Sequence, residues 1–464
     1  MDNQDVYQSP FSWRYGSPVM RQIWSEQHKR RLWRKIWLAL AETQKEYGLV
    51  SREQVDDLRT HVEDIDLPRA MEIESEIHHD LMAELKAYAE QCALGGGILH
   101  LGATSMDIED NADVLRMGEA LDLIITMLDK LLSAFARRIE ETAETPVMAY
   151  THIQPAEPTT LGYRLASYAQ DLLTDRKELL SARGDLRGKG FKGAVGTAAA
   201  YADLIGLEKF PEFEASLSDR LGLEFYPVTT QTYPRKQDYL VVSALAGMGA
   251  SLHKFAFDLR IMQSPLVGEW AEPFGKMQVG SSAMPFKRNP INAEKIDSLA
   301  RVLAGMPQTA WHNAAHSLLE RTLDDSANRR SLLPEAFLIC DELLAVSTRL
   351  IDGLQFNPTA MRRNLEQYAP FAATERVLMA LVRSGANRQV MHEKLRGYAL
   401  SAWEAVQTGG HNPLMDTIQA DAEIKLLLDD RQLKALFSIE GYTGIASERA
   451  RQITDEIRKS VIAA

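Results

Sequence analysis

The chain has 464 residues, of which 45% are hydrophobic and 25% are charged, an ordinary composition for a soluble globular protein of two or three domains. Its net charge of −12 argues against a general nucleic-acid-binding surface, and no apolar run approaches the length of about 18 residues that indicates a membrane span. The acidic N-terminal segment lacks the apolar stretch of a secretory signal, and the only two cysteines, Cys92 and Cys340, lie far apart in helix-like segments. These features predict a cytoplasmic protein with reduced structural thiols.

Apolar residues recur at steps of three and four along most of the chain, which predicts an all-α fold. Two of these stripes are long enough for helices that run through a long central bundle. They consist of Val114, Met117, Leu121, Ile124, Leu128, Leu131 and Phe135, and of Val241, Leu245, Met248, Leu252, Phe255, Leu259 and Met262. Shorter helical patterns cover residues 161–180, 291–303 and 333–354, whereas the strict alternation typical of strands is rare.

Breaks in this pattern predict three helical domains. A triple glycine at 95–97 ends an N-terminal domain at 1–98, and the long stripes define a central domain at 99–353. After Gly353 the helical patterns become shorter, which indicates a C-terminal domain at 354–464. Within the central domain, the prolines of residues 146–158 predict a turn-rich insertion.

Two polar interruptions stand just before long helical patterns. The first, HLGATSMDIEDN at 100–111, places Thr104 and Ser105 ahead of acidic residues, which is typical of a helix N-cap; ligand binding is the alternative. The second, THIQPAEPTT at 151–160, contains His152. A histidine beside a helix N-terminus has its charged form disfavoured by the helix dipole and is then a better proton donor, whereas a hydrogen-bonded structural histidine is the alternative.

The third interruption, GSSAMPFKRNP at 280–290, is predicted to be a loop, with Pro290 suited to the first turn of the next helix. Ser281 and Ser282 could exchange a proton with a substrate, and Lys287 and Arg288 could bind an anion or stabilise a developing negative charge. A polar loop of this length beside well-formed helices often carries function, although a merely solvated loop is the alternative.

The fourth interruption, ERTLDDSANRR at 320–330, has Arg321 and Arg330 on either side of Ser326. This pattern suits a clamp for a phosphate or a carboxylate, and a solvated charged face with internal Arg–Asp pairs is the alternative. Metal-ligand spacing is not found around His78 and His79, and the glycine-rich segment 190–197 lacks the ending of a phosphate-binding loop. The sequence therefore predicts no metal and no nucleotide-loop cofactor.

Three of these segments together resemble the signature regions of the fumarase/aspartase superfamily. They are TSxDxxDN at 104–111, THxQxAxPTTxG at 151–162 and GSSxMPxKxNP at 280–290, in the order that the superfamily shows. KRNP at 287–290 resembles adenylosuccinate lyases or carboxymuconate cycloisomerases. RYGSPVM at 14–20 and ERTLDDSANRR at 320–330 resemble the adenylosuccinate lyase family, in particular its animal-like branch.

The resemblance, which covers nearly the whole chain, implies a fumarase/aspartase-like protomer and a homotetramer whose active sites are shared between subunits. It implies nucleotide substrates, adenylosuccinate and its imidazole-carboxamide counterpart SAICAR, each of which loses fumarate by cleavage of a C–N bond to give AMP or AICAR. It implies no cofactor, no nucleic-acid partner and no membrane partner. Another lyase or cycloisomerase of the superfamily is the runner-up, and a non-catalytic structural or storage relative is the alternative from a different class.

The resemblance also implies roles for individual residues. Ser281 matches the general base, His152 the general acid, and Glu294 the carboxylate that orients the histidine. Lys287 matches a cation that stabilises the serine alkoxide, and His79 a second active-site histidine.

A larger set matches positions that contact the substrate. These are Arg14, Tyr15, Asp80, Thr104, Ser105, Thr151, Gln231, Ser282, Met284, Asn289, Lys295, Arg321, Ser326 and Arg330. Lys295 departs from the family pattern, which has arginine there, so a cation is kept but the bidentate fork is lost. This departure affects the expected ribose contacts and the balance between the two substrates.

Overall fold

A computed structural model of the protein describes residues 5–275 and 277–462. Within these residues the regular secondary structure consists of α-helices, four short strands and three short 3-10 helices, with loops between them. The prediction of an all-α fold with little sheet is therefore confirmed. Eighteen helices, α1–α18, and four strands, β1–β4, are numbered here in chain order.

The N-terminal helices begin at polar caps that the sequence provides. Ser17, Ser25 and Ser51 each accept a hydrogen bond from a backbone N–H in the first turn of the helix that follows, which satisfies a donor that the helix itself leaves unpaired. The helices are α1 Pro18–Ile23, α2 Glu26–Glu46, α3 Arg52–His61, α4 Leu67–Ile77 and α5 Asp80–Gln91.

Five long helices and two short ones follow. They are α6 Ser105–Thr142, α7 Leu161–Gly184, α8 Ala199–Ile205, α9 Phe210–Leu221, α10 Lys236–Gln263, α11 Ile291–Ala315 and α12 Ser326–Gly353. The two predicted apolar stripes lie on α6 and α10, and every stripe residue is buried. The 3.6-residue period of the sequence therefore identified the core-facing sides of these helices correctly.

The segment predicted as a turn-rich insertion at 146–158 is instead a β-hairpin. Strands β1 Pro146–Thr151 and β2 Gln154–Thr160 pair antiparallel, with Thr151 opposite Gln154 and a register irregularity between Met148 and Tyr150. Prolines concealed the hairpin in the sequence, because proline is unfavourable in strands and is tolerated mainly at edges. The short strands β3 Trp270–Ala271 and β4 Gln355–Phe356 form a second antiparallel pair.

The C-terminal part of the chain consists of shorter helices. They are α13 Pro358–Arg383, α14 Arg388–Gln407, α15 Leu414–Ala420, α16 Ala422–Leu427, α17 Asp430–Phe437 and α18 Ala446–Ile462. Asn357, Asn387 and Asp429 cap the first, second and fifth of them through side-chain oxygens.

The chain divides into two compact units. The first consists of the described residues up to 128 together with 175–250 and 299–345. Its core includes an aromatic cluster in which Trp37 packs against Tyr88 and Phe213 packs against Tyr201. Ile108 of α6 belongs to the same cluster, so the beginning of α6 is anchored to the N-terminal helices.

The second unit consists of 129–174, 251–298 and the described residues from 346 onward. Phe255 of α10 contacts Phe135 of α6 and Tyr168 of α7 edge-on, and the Tyr168 hydroxyl donates to Asp258 over 2.7 Å. A separate apolar cluster joins α13 to the helices that follow it, with Leu381 and other fully buried residues at its centre.

Both cysteines, Cys92 and Cys340, are buried and free, as predicted. Among the described helices, only α10 is long and apolar enough to cross a membrane by length and composition, with a mean hydropathy of 1.4. That is weak evidence for a span, because the core helix of a soluble protein has the same properties and the apolar stripe of α10 is buried.

Candidate active site

A pocket in the first unit brings together several of the residues that the sequence singled out. Asp80, Arg321, Ser326 and Arg330, which lie far apart in the chain, all line it. The other lining residues are Trp24, Glu26, Lys29, Trp33, Met106, Glu109, Asp110, Asp113, Arg116, Arg235, Arg329, Leu333 and Pro334. We call this site the arginine pocket.

Four N–H donors on the lining residues of this pocket are buried and have no hydrogen-bonding partner within the described residues. They are Nε1 of Trp24, Nε1 of Trp33, Nε of Arg116 and Nη2 of Arg235. An unpaired buried donor costs roughly 1–3 kcal/mol, and buried polar groups are normally paired. These four donors have almost no accessible surface, so the pocket suits an acceptor-rich ligand such as a phosphate through its accessible cations, Arg321 and Arg330, whose side chains are 18% and 59% exposed.

The two arginines of the predicted clamp are each held by a carboxylate. Arg330 donates Nη2–H to Asp80 over 2.8 Å, and Arg321 donates Nη1–H to Asp325 over 2.9 Å. Burial would raise the pKa of Asp80, but Arg330 and Lys29 outweigh it and hold that pKa below its ordinary value. The Arg–Asp pairs of the alternative interpretation are thus present, but the arginines face a pocket rather than a flat charged surface.

A buried ionic network lies behind the clamp. Asp325 accepts Nε–H from Arg235 over 2.6 Å, and Arg235 donates Nη1–H to Asp110 of α6 over 3.0 Å. Arg329 donates to Asp238 of α10 over 2.8 Å and to the Tyr233 hydroxyl over 2.7 Å. These charges are almost completely buried, so each depends on its partners to remain ionised.

Glu109 on α6 is a lining residue with a strongly perturbed pKa. Burial and the neighbouring carboxylates of Asp80, Asp113 and Asp110 raise its pKa to about 8. Its ordinary pKa is near 4.5, so at neutral pH Glu109 is mostly protonated and can donate a hydrogen bond to a bound ligand.

His79 and Ser105 also meet in the first unit. The Nδ1 atom of His79 accepts the backbone N–H of Met82 over 3.5 Å, and Nε2 lies 3.4 Å from the Ser105 hydroxyl. Because Nδ1 acts as acceptor, the neutral ring carries its proton on Nε2, which then donates to Ser105. The N–H of Thr104 donates to the Asp107 carboxylate over 3.0 Å, so the predicted helix start at 104–105 is confirmed.

The acids that follow this helix start have a structural role. Asp107 forms a buried ion pair with Lys189 and accepts the N–H of Gly193 over 3.2 Å. Asn111 exchanges hydrogen bonds with the backbone of Gly190. The glycine-rich segment is therefore held against α6, which explains its glycines without a phosphate ligand.

The remaining predicted residues of the first unit lie outside the lining of the arginine pocket. The Cζ atom of Arg14 lies 5.7 Å from the centroid of the Trp13 ring and 5.9 Å from that of the Tyr15 ring. Gln231 donates its backbone N–H to the C=O of Glu320 over 3.1 Å, which ties the segment before α10 to the segment before α12.

In the second unit, residues 280–290 form a loop, as predicted, and Pro290 directly precedes α11. The hydroxyl oxygen of Ser281 accepts the backbone N–H of Met284 over 3.1 Å and that of Ala283 over 3.4 Å. Two N–H donors aimed at one oxygen stabilise negative charge on it, as in an oxyanion hole.

The loop is closed at its neck. The side-chain amide of Asn289 donates to the C=O of Gly280 over 3.1 Å. A Cβ on Gly280 would collide with the backbone oxygen of Lys287, so only glycine fits this closed neck. Ser282, Met284 and Lys287 are exposed around the rim of the loop.

His152 lies at the tip of the β-hairpin, in a two-residue turn with Ile153. The φ angles of the two residues are 54° and 61°, which belong to a type I′ turn and are unusual for residues other than Gly, Asn and Asp. The expectation that His152 stands beside a helix N-terminus is wrong, because α7 begins only at Leu161. The argument from the helix dipole therefore does not apply to His152.

Thr151 ends β1 next to this histidine, while Glu294 and Lys295 lie in the first turn of α11. His152 and Glu294 are both exposed. Within the described residues of one chain, no hydrogen bond or ion pair joins His152 to Glu294 or to Ser281.

Sequence reasoning missed several lining residues of the arginine pocket, notably Trp24, Lys29, Glu109 and Arg235. Arg329 could have been found, since it belongs to the same arginine-rich segment as Arg330. Glu109 lies in the polar segment 100–111 and was passed over beside Thr104 and Ser105. Trp24, Lys29 and Arg235 come from segments with no distinguishing pattern, and only the packing of the helices shows their common location.

Two family models match the chain. One, described as "Lyase", matches residues 14–305, and the other, described as "Adenylosuccinate lyase C-terminus", matches residues 370–453. Among curated proteins, the adenylosuccinate lyase of Saccharomyces cerevisiae is 37% identical over 98% of this chain and 95% of its own length. The adenylosuccinate lyase of Pyrococcus horikoshii is 34% identical over 97% of this chain and 98% of its own length.

Solved structures show the same fold. The 3-carboxy-cis,cis-muconate lactonizing enzyme of Pseudomonas putida aligns with a TM-score of 0.85 and 25% identity over 98% of this chain and 99% of that one. A fumarate lyase from Mesorhizobium aligns with a TM-score of 0.84 and 24% identity over 97% of this chain and 99% of that one.

Proposed function

The chain belongs to the adenylosuccinate lyases of the fumarase/aspartase superfamily, and we propose that it eliminates fumarate with Ser281 as base and His152 as acid. Its activity is that of a lyase in purine biosynthesis. This follows from the two family models and from adenylosuccinate lyases that align with nearly the full length of the chain. The substrates of the proposal are adenylosuccinate, which gives AMP, and SAICAR, which gives AICAR.

The observation that carries the assignment of the base is the pair of N–H donors on the Ser281 hydroxyl. Elimination requires removal of a weakly acidic proton beside a carboxylate, which an ordinary serine hydroxyl cannot accomplish. The backbone N–H groups of Ala283 and Met284 lower the energy of the alkoxide, and Lys287 of the same loop supplies a positive charge. Closure of the loop over substrate would exclude water from this oxygen.

The acid in the proposal is His152, which protonates the departing nitrogen. Its position in a turn of two consecutive residues with positive φ supports this role, because strained backbone is retained at functional sites when the surrounding structure requires it. In this proposal, Glu294 of another chain accepts a hydrogen bond from His152. Its negative charge orients the ring and stabilises the protonated form that donates the proton. His79 is a second histidine beside the substrate.

The arginine pocket is the proposed phosphate site. Arg321, Ser326 and Arg330, which all line the pocket, bind the phosphate in this proposal. Arg14, Tyr15, Thr104, Ser105, Thr151, Gln231, Ser282, Met284, Asn289 and Lys295 contact the remainder of the substrate in this proposal.

We further propose a cytoplasmic homotetramer with shared active sites and domains at 1–98, 99–353 and 354–464. The central helices expose large apolar side chains, among them Leu240, Phe257, Val302 and Trp311, each close to half exposed. Exposed apolar side chains of this size are typical of surfaces that pack against other protein. Contacts with neighbouring copies would also bring exposed His152 and Glu294 into reach of partners that one chain does not supply.

A turnover assay with both purine substrates tests the proposal. The protein should release fumarate from adenylosuccinate and from SAICAR, with an absorbance change as each C–N bond breaks. Failure to release fumarate from either substrate, combined with turnover of a carboxymuconate, would instead favour the cycloisomerase alternative.

A further inference from the structure

We infer that Asp325 is a positioning residue that sets the location of the Arg321 guanidinium in the arginine pocket. The inference rests on the proposed function of Arg321 as a phosphate ligand and adds to it a second residue, which is itself not among the lining residues of the pocket. The carboxylate acts through Arg321 rather than by touching the substrate.

The two oxygens of Asp325 have separate tasks. Oδ1 accepts Nη1–H of Arg321 over 2.9 Å, and Oδ2 accepts Nε–H of Arg235 over 2.6 Å. The Asp325 side chain is only 3% exposed, whereas that of Arg321 is 18% exposed and reaches the pocket. Asp325 therefore connects Arg321 to Arg235, a more deeply buried arginine whose side chain is 1% exposed.

The buried end of this connection is rigid. Arg235 also donates to Asp110 of α6, and Asp110 accepts the backbone N–H of Tyr233 over 2.9 Å. Arg321 lies in the segment between α11 and α12, outside regular secondary structure, where a long side chain could otherwise adopt many rotamers. Holding one of its nitrogens leaves the remaining donors of the fork preorganised for a phosphate.

The charge of Asp325 is maintained by its surroundings. Burial would raise the pKa of its carboxyl, but Arg235, Arg321 and Arg329 outweigh that effect, so the group remains ionised. The ionised form can accept from both arginines at once, which an amide at this position cannot do in the same way, because the amide oxygen is a weaker acceptor and its NH₂ repels a guanidinium.

A double-mutant cycle tests the inference, with AMP as the probe in calorimetric titrations. Arg321→Ala should weaken AMP binding about tenfold or more, the loss expected for a charge-assisted hydrogen bond. Asp325→Asn should weaken it by about fivefold. In the Arg321→Ala background, Asp325→Asn should cause no further loss, whereas in the Arg330→Ala background it should keep its full effect.

Adenylosuccinate turnover provides a readout that a general loss of structure would not reproduce. Asp325→Asn should raise KM and leave kcat within about twofold, since the positioning of a phosphate ligand contributes uniform binding. The matched control is Asp324→Asn, because Asp324 is exposed and bonds only locally to Thr322. If Asp325→Asn does not fold, Asp325→Glu keeps the charge, displaces it by one methylene and should also weaken AMP binding.

The outcomes separate the two hypotheses. Unchanged AMP affinity in Arg321→Ala would contradict the proposed phosphate site itself. A loss in Arg321→Ala without a loss in folded Asp325→Asn or Asp325→Glu would overturn the positioning role. Additive losses from Arg321→Ala and Asp325→Asn would overturn it as well, because Asp325 would then act independently of Arg321.

Discussion

The hydroxyl oxygen of Ser281 accepts the backbone N–H of Met284 over 3.1 Å, within the segment 280–290 that the sequence predicts to be a loop. If this oxygen is the base, Ser281→Ala should lower kcat by orders of magnitude while AMP still binds, because the phosphate site lies in other residues. Steady-state kinetics and AMP titration measure the two effects. Ser401→Ala, at an exposed position on α14, is the control, and comparable turnover in Ser281→Ala would exclude this assignment.

Gly280 provides a test of the closed loop neck. Gly280→Ala places a Cβ against the backbone oxygen of Lys287, so the hydrogen bond between Asn289 and Gly280 should be lost and kcat should fall by about tenfold or more. Gly275→Ala is the matched control, because the nearest atom to its added Cβ lies 3.8 Å away. Equal kcat values in the two variants would show that the neck is not needed for turnover.

Glu109 should make AMP binding depend on pH. Its pKa of about 8 means that it gains a negative charge as pH rises through 8, close to the proposed phosphate site. The charged groups that act on it are Asp80, Asp110, Asp113, Lys29 and Arg330. AMP remains a dianion from pH 7 to 9, since the second pKa of a phosphate is about 6.

AMP affinity should therefore fall from pH 7 to pH 9 in the parent protein and stay nearly constant in Glu109→Gln. Calorimetric titration at several pH values measures this difference, and adenosine, which lacks the phosphate, serves as the control ligand. An identical pH profile in both proteins would mean that Glu109 does not face the phosphate.

Lys189 should contribute strongly to stability. It is fully buried and pairs with Asp107, so Lys189→Met leaves a buried carboxylate without its cation and should lower the free energy of unfolding by roughly 3–5 kcal/mol. Denaturant unfolding at fixed protein concentration measures the change. Lys209→Met, at an exposed position, should change it by less than about 0.5 kcal/mol. A loss of similar size in both variants would contradict the assigned role of the pair.

The sequence predicted the helical fold well because burial has a local signature. Leu121 and Leu245, for example, repeat at helical spacing with other apolar residues, and both are fully buried. The β-hairpin was missed because Pro155 and Pro158 suggest turns, and the two-residue turn contains neither glycine nor asparagine. The strained conformation of His152 follows from pairing of the strands and has no sequence signal of its own.

The sequence predicted the motifs of the candidate site but not the ion pairs that connect them. Arg321 and Arg330 stand out by their spacing around a serine, whereas Arg235 is separated from them by tens of residues and meets Asp325 only after folding. The ionic network behind the pocket depends on which helix ends converge. A single sequence without an alignment does not contain that information.

The proposal that base and acid combine across subunits is tested most directly by mixing two inactive variants, Ser281→Ala and His152→Ala. Among the described residues of one chain no hydrogen bond joins these two side chains, and in the proposal the missing partner comes from another copy. After the variants are dissociated, mixed and reassembled, adenylosuccinate turnover should return to a substantial fraction of the parent rate, because some sites then contain both intact residues. Mixed assemblies that remain as inactive as either variant alone would show that base and acid come from the same chain.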